Sequence, residues 1–372
     1  MTTRFALLLT AVFIAVCPVA GQAQSPCAAP AAVCAAAQRV FSIASFDPAA
    51  SAVLIAPGLL VTNRHVIANH PNAAIIKRDG TRLTARVVPT NYPGDLVLLR
   101  ADGLTSSQPL PLAAAPSAET ALHAIGHDVG RQTIRVYVKG HAIRTPAPDK
   151  PLARLHHTAR SQPGNSGGAL VNAQGHLVGI VTAGGEGRHD AIPATEIARL
   201  KDRSGPAHRD VHDRIGLAYR QCMAATDAAG ANRRAMTPKQ ADFMIERCQA
   251  SNNRQLIDLA AQALGKRGRY KQSVDLFEAA IAQDPNAVNS RLGLVVSLHL
   301  ARRYTDEVPH LKELIKALPA DLQVLRFAIQ AGTWGEAPEL AATGMSLLKT
   351  HHPKLAPLAK RFMQTPPPKR RP

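Results

Sequence analysis

The stretch SQPGNSGGALVN, residues 161–172, sets Ser166 among three glycines, Gly164, Gly167 and Gly168, with Pro163 just before and an apolar run just after. Glycine accepts backbone angles closed to other residues, so such a turn can present a hydroxyl and nearby amides to a reactant. The same pattern also makes a plain turn. What decides between them is whether a base, an acid group to orient it and oxyanion donors occur elsewhere in the chain.

Upstream, GLLVTNRHVIANH (58–70) places His65 just past a β-type run, and NYPGDLVLLRA (91–101) places Asp95 at the mouth of a strongly apolar one. Around these residues, from about Gln38 to Ile192, the chain is built of short runs such as SAVLIAPGLLVT, AAIIKRDGTRLTARVV, DLVLLRA, QTIRVYVKGHAIR and HLVGIVTAGG, broken by Gly, Pro, Asn and Asp. Alternation in TIRVYV, without a long helical stripe between the runs, predicts an all-β barrel or sandwich. The Gly-x-Ser-x-Gly pattern also fits the nucleophile elbow of α/β-hydrolases. That fold needs alternating βα units ahead of the serine and the order Ser, acid, His. Here His65 and Asp95 precede Ser166, and helical rather than strand patterns follow it.

A helix is expected near Thr195, and Ser204-Gly205-Pro206 reads as a linker. Beyond it the pattern is helical and repeats every 34 residues: Tyr270 and Tyr304, Leu264 and Leu298, Phe277 and Leu311, Pro285 and Pro319. A third unit is degraded, with Gly332 and Pro338 where the others have Leu and Tyr. This resembles the tetratricopeptide repeat, in which helix pairs stack into a solenoid. Ahead of the repeats, Thr237, Pro238 and Gln240 have the form of a capping box opening a helix.

The opening residues, MTTRFALLLTAVFIAVCPVAGQAQ, carry a basic Arg4, an apolar stretch and a small-residue site near Ala23, which predicts a cleaved export signal. An exported chain favours disulfides. Once Cys17 leaves with the signal, Cys27, Cys34, Cys222 and Cys248 remain, with three pairings open. Short loops close most easily, which favours Cys27 with Cys34 and Cys222 with Cys248. No CxxC or His-Cys zinc spacing occurs, so neither metal nor cofactor is expected. The net charge is +18, yet it is even: 19 basic and 11 acidic residues up to 205, 25 and 15 after it. With aromatics at 4%, this argues against specific nucleic-acid binding.

The order His65, Asp95, Ser166 and the blocks TNRHV, DLVLL and GNSGGALVN, with AIGHD at 124–128 and AIP at 191–193, resemble trypsin-like proteases of the bacterial HtrA (Deg) type over roughly Val40 to Pro193. The resemblance implies a chymotrypsin-like double β-barrel and a serine endopeptidase acting on peptides or unfolded proteins in the periplasm or outside the cell. Ser166 would be the nucleophile, His65 the base and Asp95 its orienting acid, with the N–H groups of Gly164 and Ser166 as oxyanion hole. Thr182 would support Asp95. Arg160, Ser161, Ala183 and Gly184 would line the S1 pocket together with Thr182. An inward Arg160 would favour acidic or polar P1 side chains, and an outward one small apolar P1 side chains. Asn165 stands where digestive trypsins have an aspartate, so their zymogen activation is not expected.

HtrA proteases usually carry PDZ domains where this chain has helical repeats. The expected organisation is a signal at 1–23, an N-terminal segment at 24–37 and a protease domain at 38–203. A linker and disulfide-bonded helical region at 204–253, repeats at 254–355 that recruit substrate or partner, and a basic Pro-rich tail at 356–372 complete it. A separable repeat domain would allow deletion beyond about 206 without loss of peptide cleavage. The rival expectation is a catalytically silent protease-fold scaffold serving as a tetratricopeptide adaptor. His70, His123, His127, His141, His176 and His189 are expected to be surface or loop residues, with His127 also a candidate for the cleft wall, while His156 and His157, on opposite faces of one strand, cannot both join one site.

Overall fold

A computed structural model of the chain describes residues 27–105, 108–147, 149–150, 152–185, 187–231 and 236–367. The signal expected at 1–23 and the tail's basic end lie outside the described residues.

Strands β1 (Val40–Ala44), β2 (Ala50–Ala56), β3 (Leu59–Thr62), β4 (Asn72–Ile76), β5 (Arg82–Val88) and β6 (Val97–Arg100) close an antiparallel barrel in the order β1-β2-β3-β6-β5-β4. The second barrel comprises β7 (Ala121–Asp128), β8 (Thr133–Val136), β9 (Gly140–Arg144), β10 (Leu155–His157), β11 (Ala169–Asn172), β12 (Leu177–Gly185) and β13 (Arg188–Pro193). Their sheet order is β11-β12-β13-β10-β9-β7-β8, and pairing of β11 with β7 closes six of them, leaving β8 on the outside of β7. The expected double barrel is present.

Strand β2 shows why its sequence is almost unbrokenly apolar. Successive side chains point to opposite faces of a strand. Ala50, Ala52 and Leu54 therefore enter the core of the first barrel, while Val53 and Ile55 join Ile125, Ala169 and Ile180 in a core between the barrels. Both faces are buried, so neither can be polar without a partner. Ser51 is the exception, and its partners are Gly164 and Ser166 in the loop before β11 and His127 on β7.

Helix α1 (Ala31–Ala36), spanned by a Cys27–Cys34 disulfide, packs Val33 into the inter-barrel core, and α2 (Arg64–Ile67) is the single turn carrying His65. After α3 (Glu196–Asp202) the expected linker is no free tether. Ser204 bridges to Thr90, and the Gly205 N–H donates to the Pro89 carbonyl at 2.8 Å. Short polar residues suit a pinned crossing as well as a flexible one.

Helices α4 (Arg209–Ala231) and α5 (Pro238–Ala250) are stapled by Cys222–Cys248, and Thr237 with Gln240 forms the capping box at the start of α5. Three helix hairpins follow: α6 (Arg254–Lys266) with α7 (Tyr270–Gln283), α8 (Val288–Leu300) with α9 (Tyr304–Ala317), and α10 (Leu322–Trp334) with α11 (Pro338–His351). Corresponding helices begin 34 residues apart, and the degraded third unit folds like the others. Pro338 is tolerated because it opens its helix, where no intrahelical N–H is needed. The expected tail begins as helix α12 (Ala356–Phe362), whose Ala356 and Ala359 pack on a cluster containing Leu325, Ile329 and Leu348. No helix among the described residues is long and apolar enough to cross a membrane.

The helical half is fixed to the second barrel by a buried ionic network. The Asp190 carboxylate on β13 accepts from His156 Nδ1 at 2.8 Å, from Arg254 at 2.6 Å and from Arg154 at 3.4 Å. Asp284, just after α7, accepts from His156 Nε2 and the Arg154 N–H, both at 3.1 Å, and pairs with Arg254. Burial opposes ionisation of Asp284, but His156 and Arg254 outweigh it and hold its carboxyl well below the usual range. The neighbouring Asp258 is pushed up to about 6 by burial, against the pull of Arg254. His156 was expected only to face the opposite side of its strand from His157; it is a central link between two carboxylates, which raise its pKa against the pull of burial.

Removing one member of such a network strands the rest. Asp284→Ala is expected to cost about 3–5 kcal/mol at neutral pH, measured as a lower denaturant midpoint. A carboxyl with a depressed folded-state pKa stabilises above its unfolded value and loses that contribution as pH falls. The variant should therefore also lose less stability than the parent between pH 7 and about pH 3.

Candidate active site

The catalytic candidates sit where the barrels meet. Asn63 precedes α2, and its Nδ2 donates to the Asp95 carbonyl at 3.0 Å, tying the His65 turn to the Pro93-Gly94-Asp95 loop. The Asp95 side chain accepts twice from His65: Oδ1 from the backbone N–H at 2.9 Å and Oδ2 from Nδ1 at 2.7 Å. This pair fixes the tautomer, because a proton on Nδ1 leaves Nε2 as the basic nitrogen. Thr182 Oγ1 donates to Asp95 Oδ2 at 3.2 Å. Thr182 falls at a register shift in the β12–β13 ladder, the kind of bulge that re-aims one side chain. Burial resists ionisation of Asp95, yet the charge and hydrogen bonds of His65 hold its carboxyl below the ordinary value.

Ser166 is half-buried on the loop before β11. Within that loop the N–H groups of Asn165, Gly167 and Gly168 are engaged by the carbonyls of Gln162, Val181 and Asn165. Among the described residues no acceptor engages the N–H of Gly164 or of Ser166. Gly164 has φ +95°, and a Cβ there would lie 2.6 Å from the His127 carbonyl oxygen. Gly167 has φ +79°, and its Cβ would fall 2.1 Å from Thr62 Oγ1. The glycines that fence Ser166 are therefore required by both backbone angle and space.

The loop hangs on Ser51. The Ser51 N–H donates to the Ser166 carbonyl, its Oγ donates to the Gly164 carbonyl, and the same Oγ accepts from the His127 N–H, each at 2.8 Å. Asn165 completes the frame: it is fully buried, its Nδ2 donates to the His127 carbonyl at 3.0 Å, and its Oδ1 accepts from the Gln162 N–H at 2.9 Å.

The pocket candidates divide. Arg160 is exposed and does not line a buried floor. Ser161 Oγ pairs with His189 Nδ1 at 2.8 Å, and Ala183 and Gly184 on β12 run antiparallel to Asp190 and His189. The His189 ring stacks on that of His157, 5.7 Å between centroids. Burial lowers the pKa of both, that of His157 to about 3. His189, like His123 and His127, was expected to be a surface or loop residue and is buried. A histidine in a β run of mixed polarity carries no local sign of which face it takes. Among the described residues no cluster of three or more His, Cys, Asp or Glu side chains is arranged to hold a metal.

Residues 50–180 match the family described as Trypsin-like peptidase domain, so this segment is a trypsin-like peptidase domain. "Serine protease Do-like HtrA" of Lactobacillus helveticus is 27% identical over 160 residues, 38% of each chain. "Probable periplasmic serine endoprotease DegP-like" of Rickettsia prowazekii is 32% identical over 147 residues, 37% of this chain and 28% of its own. A solved serine endoprotease from Yersinia pestis is 27% identical, covering 46% of this chain and 64% of its own with a TM-score of 0.40. The chain spans less than half the length of these two curated relatives, and the family match ends ahead of the helices.

Ser51→Ala would leave the Gly164 carbonyl and His127 N–H without their shared partner. We expect a stability loss of about 1–3 kcal/mol in denaturant melts. A slower reaction of Ser166 with a fluorophosphonate, read in the same samples, should accompany it.

Proposed function

We propose that the chain is a serine endopeptidase hydrolysing peptide bonds through His65, Asp95 and Ser166. The observation that carries this reading is the His65–Asp95 pair at 2.7 Å beside a serine loop with two unengaged N–H groups. Ser166 Oγ would attack the scissile carbonyl while His65 Nε2 takes its proton. The N–H groups of Gly164 and Ser166 would hold the oxyanion, and Asp95 would stabilise the imidazolium. His65 would then return the proton to the leaving amine, and water would release the acyl group by the same sequence in reverse. The names of the HtrA and DegP relatives support export to the periplasm or beyond. The 34-residue hairpin period supports tetratricopeptide-like repeats that recruit substrate or partner proteins.

For specificity, an outward Arg160 and a His189 kept neutral by burial leave no cation on the floor around Ser161. We infer a preference for small uncharged P1 side chains.

A fluorophosphonate probe should label the wild type and not Ser166→Ala. Absence of serine-dependent labelling would point instead to a silent scaffold. In a peptide-library profile, small P1 residues should dominate for both wild type and Arg160→Ala. A switch from acidic P1 on removing Arg160 would contradict the inferred pocket.

A further inference from the structure

Helix α4 lies beyond the matched domain, yet it runs along α2. His212, Gly216 and Tyr219, spaced four and three apart, share one face of it. At Gly216 a Cβ would fall 2.3 Å from the Ala68 carbonyl carbon and oxygen, so only glycine lets the helix approach this closely. Arg220 donates to Asn69 Oδ1 at 3.3 Å, and its guanidinium lies over the Phe46 ring at 5.6 Å. These contacts set the Tyr219 ring against the His65 imidazole, 5.9 Å between centroids with the planes 23° apart, and edge-on to Phe46 at 6.1 Å.

An imidazole bonded at Nδ1 alone can still swing about its side-chain torsions. A flat ring lying against its face restricts that freedom and so holds the Nε2 end of the imidazole in place. We propose that Tyr219 is a positioning residue of the active site: the helical half closes one face of His65, so efficient turnover requires α4 to be docked on α2. This rests on the reading of His65 as the general base. It departs from the expectation that deletion beyond about 206 spares peptide cleavage: that cut removes the ring lying on the base and should lower peptide turnover.

The test uses full-length Tyr219→Ala, Tyr219→Leu and Tyr219→Phe, with steady-state turnover of a short peptide amide and a thermal midpoint for each. Misplacing a catalytic group by about 1 Å can cost on the order of a hundredfold, and partial loosening less. We therefore expect kcat to fall about tenfold in Ala and Leu with KM changed less than about threefold, and Phe to stay within about twofold of wild type. Should Ala fail to fold, Leu keeps the apolar bulk without the flat ring and decides the matter alone. Wild-type kcat in Leu, a rise in kcat as expected of an inhibitory contact, or equal loss in Phe and Leu would overturn the proposal. If Ser166 in these variants still reacts with the phosphonate at the wild-type rate, Tyr219 has no positioning role and the peptidase reading stands. If wild-type Ser166 does not react at all, the peptidase reading fails and the proposal with it.

Discussion

The active-site loop depends on one serine of the opposite barrel. Ser51 sits in β2 among apolar neighbours that fill two cores, and it bonds the carbonyls of Gly164 and Ser166 and the N–H of His127. The Gly164 carbonyl fixes the 164–165 peptide plane and the Ser166 carbonyl the 166–167 plane, while the plane between them is held by the Gly168 N–H on the Asn165 carbonyl at 2.8 Å. Across this pinned turn the N–H groups of Gly164 and Ser166 meet no acceptor among the described residues. An oxyanion hole stabilises charge best when its donors are set before the reaction, because no dipole then has to turn as charge develops. Here the first barrel, through Ser51, holds the loop of the second barrel that carries Ser166.

The helical half is joined to this core at two places of different chemistry. At the second barrel the joint is ionic and buried, running through His156, Asp190, Asp284 and Arg254. At the first barrel it is a close helix crossing with aromatic contacts, ending at His65. Ionic partners buried away from water are costly to separate, so the first joint holds the orientation in which the second can form. Joined this way, the helical half reaches the His65 ring itself.

Much of the candidate site was legible in the sequence because its signals are local. Gly164 and Gly167 announce tight backbone, His65 follows a strand, and Asp95 precedes another. The 34-residue period was equally plain, since each hairpin repeats the same small set of buried positions. What escaped notice depends on contacts between distant segments. His156 looked like one of many strand histidines until Asp284 came to meet it, and Tyr219 is an ordinary aromatic on an amphipathic helix. Arg160 could be assigned to a pocket by position but not by direction, and it points to solvent. Ser204-Gly205-Pro206 has the composition of a tether and the hydrogen bonds of a crossing.

The most direct measurement is mass spectrometry of the protein quenched in acid during turnover of an activated peptide ester. Acyl transfer through Ser166 requires a transient mass increase equal to the acyl group, mapping to the peptide that contains Ser166 and absent from His65→Ala. Hydrolysis without any acyl-enzyme, or an adduct on a residue other than Ser166, would contradict it.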